Sequence, residues 1–359
     1  MKCDHYNQEI SFNRPNYLEN KIIIVDGLIG GGKGLLSAVI GSLPRVEMWI
    51  HRGNIEQICA MNHLSAISSD GVEVLLKSWF DEYFYNLSLS REVNIKPSDM
   101  SSLLRDARPL RYLKRLFHPA GVKAFQRIKD DKMILNVMTH SNTAYSEPIF
   151  KALGERLVYI RLVRSPMTKY MINHLARWSE RWGNDQDGII LYSIKSEDNS
   201  VLPCYILGRE DQYIKANHFE RTILLLDEWQ NNGNKIINKM KKISSATIIE
   251  IPFEKFVFEP NHYVNQISKI LETEADKVTK RMMKKQRVPR LSLTDAPKNK
   301  VYESIGWRAP KEHLSVLEEF KATRREFKNK ISAEYMRLLD NLTDAVSYTH
   351  LTLPTTPYV

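Results

Sequence analysis

The residues most able to do chemistry lie near the start of the chain. Gly27-Leu-Ile-Gly-Gly-Gly32-Lys33-Gly34 has the spacing GxxxxGK, between a short β-branched run (residues 21–26, KIIIVD) and a helix-forming stretch (residues 35–42). Glycines let backbone N–H groups converge on one anion, and the dipole of the following helix favours negative charge there. The expected anion-binding set is Gly27, Gly30, Gly31, Gly32, Lys33, Gly34 and Leu35, with Lys33 as a mobile cation at a wet helix end. The residue after Lys33 is Gly34, where a Mg²⁺-ligating Ser or Thr would stand in an NTP-hydrolysing loop, so no metal site is expected. A second apparent signal, Ile223-Leu-Leu-Leu-Asp227-Glu228, reads like a strand carrying a metal carboxylate. Apolar residues at three- and four-residue steps from Phe219 to Met240 make it one face of a helix instead.

The elements that must position this loop are set by periodicity. Strand, glycine loop and helix form the opening unit, and residues 46–50 are a candidate second strand. Residues 54–129 are mostly helical, broken at Asp70-Gly71, Lys96-Pro97 and His118-Pro119. Apolar runs at 133–137 and 157–163 flank a helical stretch at 146–153, a βαβ unit and hence a parallel sheet. Helices are expected at 168–182 and 218–242, a strand at 247–252, and one amphipathic helix from about 311 to 341. Residues 183–200 are polar and irregular. Trp178, Trp182 and Trp229 fall on helices, where core packing is the expected role and sugar stacking the alternative.

Composition sets the class. A chain of 359 residues with 43% hydrophobic and 26% charged residues is globular in character. The apolar stretch 22–43 is interrupted by Asp26, Lys33 and glycines, so no membrane span is expected. Cys3, Cys59 and Cys204 lack metal-like spacing, which implies reduced thiols and a cytoplasmic location. A net charge of +10 favours anionic partners, either a polyanionic small ligand or nucleic acid. No RNA- or DNA-module motif is present, and basic residues do not interleave with aromatics, so nucleic acid is disfavoured. The seven basic residues between Lys277 and Arg290 read as a solvated face, with closure over nucleotide phosphates as the second reading. The last residues, 346–359 (VSYTHLTLPTTPYV), form an uncharged Thr/Pro run that looks like the translation of a sequencing adapter. It is set apart from the fold, with the natural C-terminus lying beyond it.

Four segments in order resemble the sulfotransferase family. GLIGGGKGLLSAVIGSLPRVEMWIHR is similar to the family's phosphosulfate loop, its helix and the adjoining stretch. Met138-Thr139-His140 is similar to the strand-end KTH of cytosolic members. Val158-Tyr-Ile-Arg-Leu-Val-Arg164-Ser-Pro166 is similar to the strand and turn that read the nucleotide 3′-phosphate. Ile249-Glu-Ile-Pro-Phe-Glu254-Lys-Phe-Val-Phe-Glu-Pro260 is similar to the YEdLv-x-x-P segment. The sequence departs from the pattern at Gly30, which replaces a basic residue, at Lys33, which stands for the first Thr, and at Ile172, which stands for a phosphate-binding Ser.

The resemblance implies an α/β, P-loop-type three-layer fold with a central parallel sheet and a helical insertion. The sulfotransferase-like domain would span residues 21–271, with the insertion at 61–129. A 1–20 extension, a charged helical region at 272–345 and the 346–359 tail would surround it. It also implies an enzyme moving a sulfuryl group from 3′-phosphoadenosine 5′-phosphosulfate to a hydroxyl of a carbohydrate or other metabolite. Such transfer needs charge neutralisation, a base and cations on the leaving phosphate, but no metal. Lys33 and the amides of Gly31 to Gly34 would meet the transferring group, Arg164 the 3′-phosphate as a bidentate fork, and Asn173 a phosphate oxygen. His140, by its match to KTH, and His51, by its gapless match to a catalytic Glu position, compete for the base. Two rivals stay open at this point: a P-loop kinase using ATP and Mg²⁺, and a non-catalytic nucleotide- or nucleic-acid-binding protein. Residues 61–129 and 183–217 would shape the acceptor pocket.

Overall fold

The structure is a computed structural model that describes residues 11–181, 193–195, 201–293, 295 and 314–351. A five-stranded parallel sheet of order β2-β3-β1-β4-β7 lies at its centre. Its strands are β1 (Ile22–Gly27), β2 (Ile50–His51), β3 (Leu135–Met138), β4 (Leu157–Val163) and β7 (Thr247–Pro252); β5 (Ser193–Lys195) and β6 (Val201–Pro203) pair separately as an antiparallel ribbon. Central strands are apolar on both faces because helices cover both. Ile22 and Ile24 of β1, with Leu157 and Tyr159 of β4, enter one core; Ile23, Val25, Val158 and Ile160 enter the other.

On the second face pack α1 (Lys33–Gly41), α10 (Phe253–Phe258), α11 (Pro260–Ile270) and α12 (Lys277–Lys285). The first face carries α2 (Gly53–His63), α3 (Ser69–Ser88), α6 (Glu147–Leu153), α7 (Lys169–Arg181) and α9 (His218–Ile243); α4 (Pro109–Arg115), α5 (Val122–Asp130) and α8 (Glu210–Lys215) complete that layer. This is the expected α/β three-layer arrangement. Asn217 opens α9 with a capping box, and Asp227 and Glu228 on it are spent on Arg209, at 2.7 and 2.8 Å. The helical reading of residues 223–228 therefore holds.

Two expectations need correction. The run 46–50 is a strand only at Ile50–His51; Val46 makes an isolated bridge to Ile134, and the side chain of Glu47 that follows it is buried among the helices rather than facing a partner strand. The single C-terminal helix is two, α13 (Val316–Phe327) and α14 (Ala333–Leu351), since Ser315 starts a capping box and Phe327 and Ile331 dive into a shared cluster at the break. Helix α14 runs on through Val346, which is buried, while residues 352–359 lie outside the described ones.

The helices between β2 and β3 are pinned to the sheet by one buried carboxylate. Glu47 accepts from Tyr112 Oη at 2.7 Å and from both terminal nitrogens of Arg115 at 2.7 and 3.0 Å. Tyr112 Oη accepts in turn from Met48 N at 2.7 Å, and Arg115 donates to Leu87 O at 3.2 Å. Burial alone would raise the Glu47 carboxyl, but Arg111 and Arg115 outweigh it and hold the group below its ordinary range. A depressed carboxylate stabilises the fold above its unfolded value of about 4.3, and that contribution is lost as pH falls toward the folded value. Arg115→Ala removes both charge-assisted bonds, leaves Glu47 only Arg111 at 3.9 Å and Tyr112, and should cost about 3 kcal/mol at pH 7 in urea unfolding. The deficit should shrink as pH drops below about 4.3, because protonated Glu47 no longer needs its partner. A deficit independent of pH would assign Arg115 to packing alone.

Candidate active site

The loop after β1 is shaped by two glycines no other residue can replace. At Gly27 (φ 151°) an added Cβ would sit 2.3 Å from Leu162 O on the neighbouring strand. At Gly32 (φ 96°) it would sit 2.3 Å from the Phe253 ring. Gly32 also starts α1, and it brings no side-chain acceptor. Helices α3, α9 and α12, by contrast, are capped by Ser68, Asn217 and Asp276. The first-turn N–H groups of Gly32, Lys33 and Gly34 therefore meet no acceptor among the described residues. Two amides of the expected set are already committed: Gly31 N donates to Leu28 O at 2.9 Å, and Leu35 N to Gly32 O at 3.1 Å. Both bonds belong to the turns of the loop itself.

Lys33 is neither mobile nor wet. Its side chain is buried and donates to Gly27 O at 2.7 Å and Leu28 O at 2.8 Å, folding back over the loop that carries it. Burial pushes the ammonium down to about 8, against the pull of Asp26 and Glu56. The ammonium ties two loop carbonyls together.

Arg164 follows β4 and reaches across the loop. Its Nη1 donates to Gly30 O at 2.9 Å, its guanidinium lies 4.2 Å from the centre of the Phe253 ring, and its Nε is buried with no partner among the described residues. Glu254, from the same segment as Phe253, accepts from Ser165 N at 3.1 Å and fixes the turn after Arg164. Burial raises the Glu254 carboxyl despite the nearby Arg164. The first turn of α7 closes this flank, with Tyr170 and Met171 against Gly30; Asn173 sits half-buried on the next turn.

On the other flank the turn after β3 abuts the loop. Ser141 N donates to Gly27 O at 2.9 Å, and Ser141 Oγ accepts from Ile29 N at 3.1 Å. This places His140, and His51 at the end of β2, around a carboxylate the sequence did not single out. Glu56 Oε1, in the first turn of α2, lies 3.0 Å from His51 Nε2 and 3.3 Å from His140 Nδ1, and accepts from His140 N at 2.8 Å. The two ring nitrogens are 3.0 Å apart. Burial raises Glu56, but hydrogen bonds and charge from both imidazoles overcome it and hold the group at about 2. Burial, with the charge of Lys33, pushes His140 below its ordinary value. His140 thus stands in the field of the loop lysine. The spacing His51-x4-Glu56 across a strand-to-helix turn was the one available hint of this carboxylate.

Beside the first turn of α1 opens a cavity of about 240 Å³, lined among others by Gly34, Ala38, Trp49, Met100, Arg105 and Lys285. Residues 96–106, between α3 and α4, roof it, and Lys285 Nζ of α12 donates to Arg105 O at 3.1 Å. The fold therefore gathers Lys33, His51, His140 and Arg164 around one loop. Trp229 is core, 5.2 Å from Tyr205 in an edge contact; Trp178 packs against the same core, and Trp182 lies outside the described residues. Cys59 and Cys204 are buried free thiols; Cys3 is outside the described residues. No helix is long and apolar enough to cross a membrane among the described residues.

No protein-family model and no curated protein sequence matches this chain. Among solved structures, it is similar to the sulfotransferase domain of the olefin synthase of Synechococcus PCC 7002, at 10% identity over 88% of this chain and 98% of that one, with a TM-score of 0.40. The sulfotransferase STF9 from Mycobacterium avium shares 11% identity over 88% of this chain and 78% of its own, with a TM-score of 0.38. A sulfotransferase domain from the curacin biosynthetic pathway shares 9% identity over 86% and 97%, also with a TM-score of 0.38.

Proposed function

We propose that the chain is a sulfotransferase-like enzyme that uses 3′-phosphoadenosine 5′-phosphosulfate and a hydroxylated acceptor such as a glycan or metabolite. The observation that carries this reading is the cluster of two half-buried imidazoles around a buried carboxylate beside Lys33, on a loop whose metal-ligating hydroxyl position is Gly34. The residues fit a bisphosphorylated nucleoside. Unpartnered first-turn amides and the unpartnered Arg164 Nε supply anion donors on one side of the loop, and the cavity beside Gly34 is walled by apolar Trp49 and Met100 with basic Arg105 and Lys285. The donor supplies an activated sulfuryl group.

The chain's own residues hold and move the proton. Glu56 Oε1 accepts from His140 N and faces Nδ1; with the hydrogen on Nδ1, Nε2 keeps its lone pair. His140 is neutral near pH 7, because burial and Lys33 lower it, and Nε2 can take the proton of an acceptor hydroxyl. Glu56 is then a positioning residue, and His51 its second neighbour. Lys33 and the amides of Gly32 to Gly34 neutralise charge on the transferring group. A Mg²⁺-dependent kinase remains the rival, supported by the GxxxxGK spacing.

The donor class is tested by binding. 3′-Phosphoadenosine 5′-phosphate should raise the melting temperature without Mg²⁺, following mass action. Stabilisation by ADP with Mg²⁺ and none by the bisphosphate would hand the site to the kinase reading. The affinity should also fall as pH rises through about 8. Above that value free Lys33 loses its proton, whereas a bound anion favours the ammonium, so binding must take up a proton. Calorimetry at pH 7 and pH 9 reads this, and Lys33→Met should remove the difference.

The base is tested by substitution. His140→Ala should lower label transfer from the sulfuryl donor to a panel of hydroxylated acceptors by about 10²–10⁴-fold, with bisphosphate binding intact. His51→Ala should reduce it modestly, and Glu56→Gln by an intermediate factor through loss of the tautomer. A dead His51→Ala beside an active His140→Ala reverses the assignment.

A further inference from the structure

His51 Nε2, His140 Nδ1 and Glu56 Oε1 form a nearly equilateral triangle with sides of 3.0, 3.0 and 3.3 Å. Protons alone satisfy it poorly when both imidazoles are neutral. With a hydrogen on His51 Nε2 donated to Glu56, the lone pair of His140 Nδ1 faces the carboxylate oxygen. With the hydrogen on His140 Nδ1, the lone pair of His51 Nε2 faces that same oxygen. With hydrogens on both, two N–H groups meet at 3.0 Å. One side of the triangle is repulsive in each case.

A cation removes the conflict. Tetrahedral bonds of 2.0–2.1 Å put ligand atoms about 3.3–3.4 Å apart, close to the observed sides. All three groups lie within 4.8 Å of one another and come from separate elements, β2, α2 and the end of β3. Glu56 is 3% exposed, and its second oxygen, Oε2, is buried with no hydrogen-bond partner. Two imidazoles and one carboxylate suit zinc and its d-block neighbours, and suit magnesium or calcium badly, because those ions demand oxygen. The Lys33 ammonium shares this field and lowers the affinity without supplying a competing ligand.

We propose that His51, Glu56 and His140 form a binding site for one divalent d-block ion of the zinc type, with a fourth position left open. The site stands on these three side chains alone. Its consequence for catalysis rests on the sulfuryl-transfer reading: an ion on His140 Nδ1 leaves the hydrogen on Nε2, so the imidazole has no lone pair for the acceptor. Ion and base then exclude each other, and zinc inhibits transfer.

The test titrates the full chain with Co²⁺, read by its visible d–d absorption, and with Zn²⁺ by calorimetry, with no nucleotide present. One ion per chain is expected, and each of Glu56→Gln, His51→Ala and His140→Ala should weaken it by more than about 100-fold, beyond the range for outer-shell partners. Glu56→Gln keeps shape and volume, and circular dichroism of all three variants separates lost ligands from lost fold. No binding by the wild type, or equal binding by a folded Glu56→Gln, overturns the site. Because binding is read without donor or acceptor, its failure leaves the transfer reading standing. Conversely, intact binding with transfer that excess zinc does not slow overturns the exclusion and, with it, His140 as base.

Discussion

The carboxylate of Asp26, fully buried at the end of β1, holds the candidate site together. It accepts from Tyr159 Oη of β4 at 3.1 Å, from Asn142 N at 3.3 Å and from Thr143 Oγ1. Two strands and the turn after a third are thus tied to a single charge that has no water to fall back on. The turn it fixes contains Ser141, in a left-handed conformation at φ 53°, whose backbone and hydroxyl both bond the glycine loop. His140 precedes that turn directly. With the strand register and the bond from His140 N to Glu56, this anchor sets where the imidazole stands relative to Lys33.

Lys33 shows how such a site can remain ordered before any ligand arrives. Burying an ammonium is expensive unless something answers it. Here two loop carbonyls do, with Asp26 and Glu56 as more distant counter-charges, and the residual penalty appears as a pKa of about 8. The loop therefore carries its own cation in a latched position. Any anion at the first turn of α1 would compete with Gly27 O and Leu28 O for that ammonium.

Much of the architecture was legible from periodicity: the strand before the glycines, the βαβ unit around residues 146–153, and the helix at 223–228 that mimics a strand. These are signals that repeat over several residues, and neighbours cannot easily override them. The loop's individual amides were not legible. Gly31 and Leu35 look like anion donors by spacing, but turn hydrogen bonds claim them, and only the backbone path reveals that. Glu56 was hidden for a different reason. A glutamate in the first turn of a helix is expected for the dipole alone, and its partner His140 lies 84 residues away. Nothing in the local sequence separates a carboxylate facing water from one facing two imidazoles. The split of the C-terminal helix was likewise set by where Phe327 and Ile331 find a core to enter.

Strand order explains why the two flanks of the loop differ in chemistry. In β2-β3-β1-β4-β7, the strand feeding the loop has β3 on one side and β4 on the other, and this is where chain order reverses and ligands of open parallel sheets bind. The turn after β3 carries imidazole beside carboxylate, whereas the turn after β4 carries guanidinium over an aromatic ring. The imidazole–carboxylate cluster and the guanidinium are thus kept on opposite sides of Lys33, where they do not neutralise each other. Had Arg164 stood beside Glu56, the pair would have formed an ion pair and spent both. The separation leaves the fold with buried or half-buried charges that lack close counter-ions. Asn142 N, Ser165 N and the loop carbonyls answer Asp26, Glu254 and Lys33 by hydrogen bonding instead. The sheet can carry this imidazole–carboxylate cluster because its topology holds the competing guanidinium on the far side of the loop.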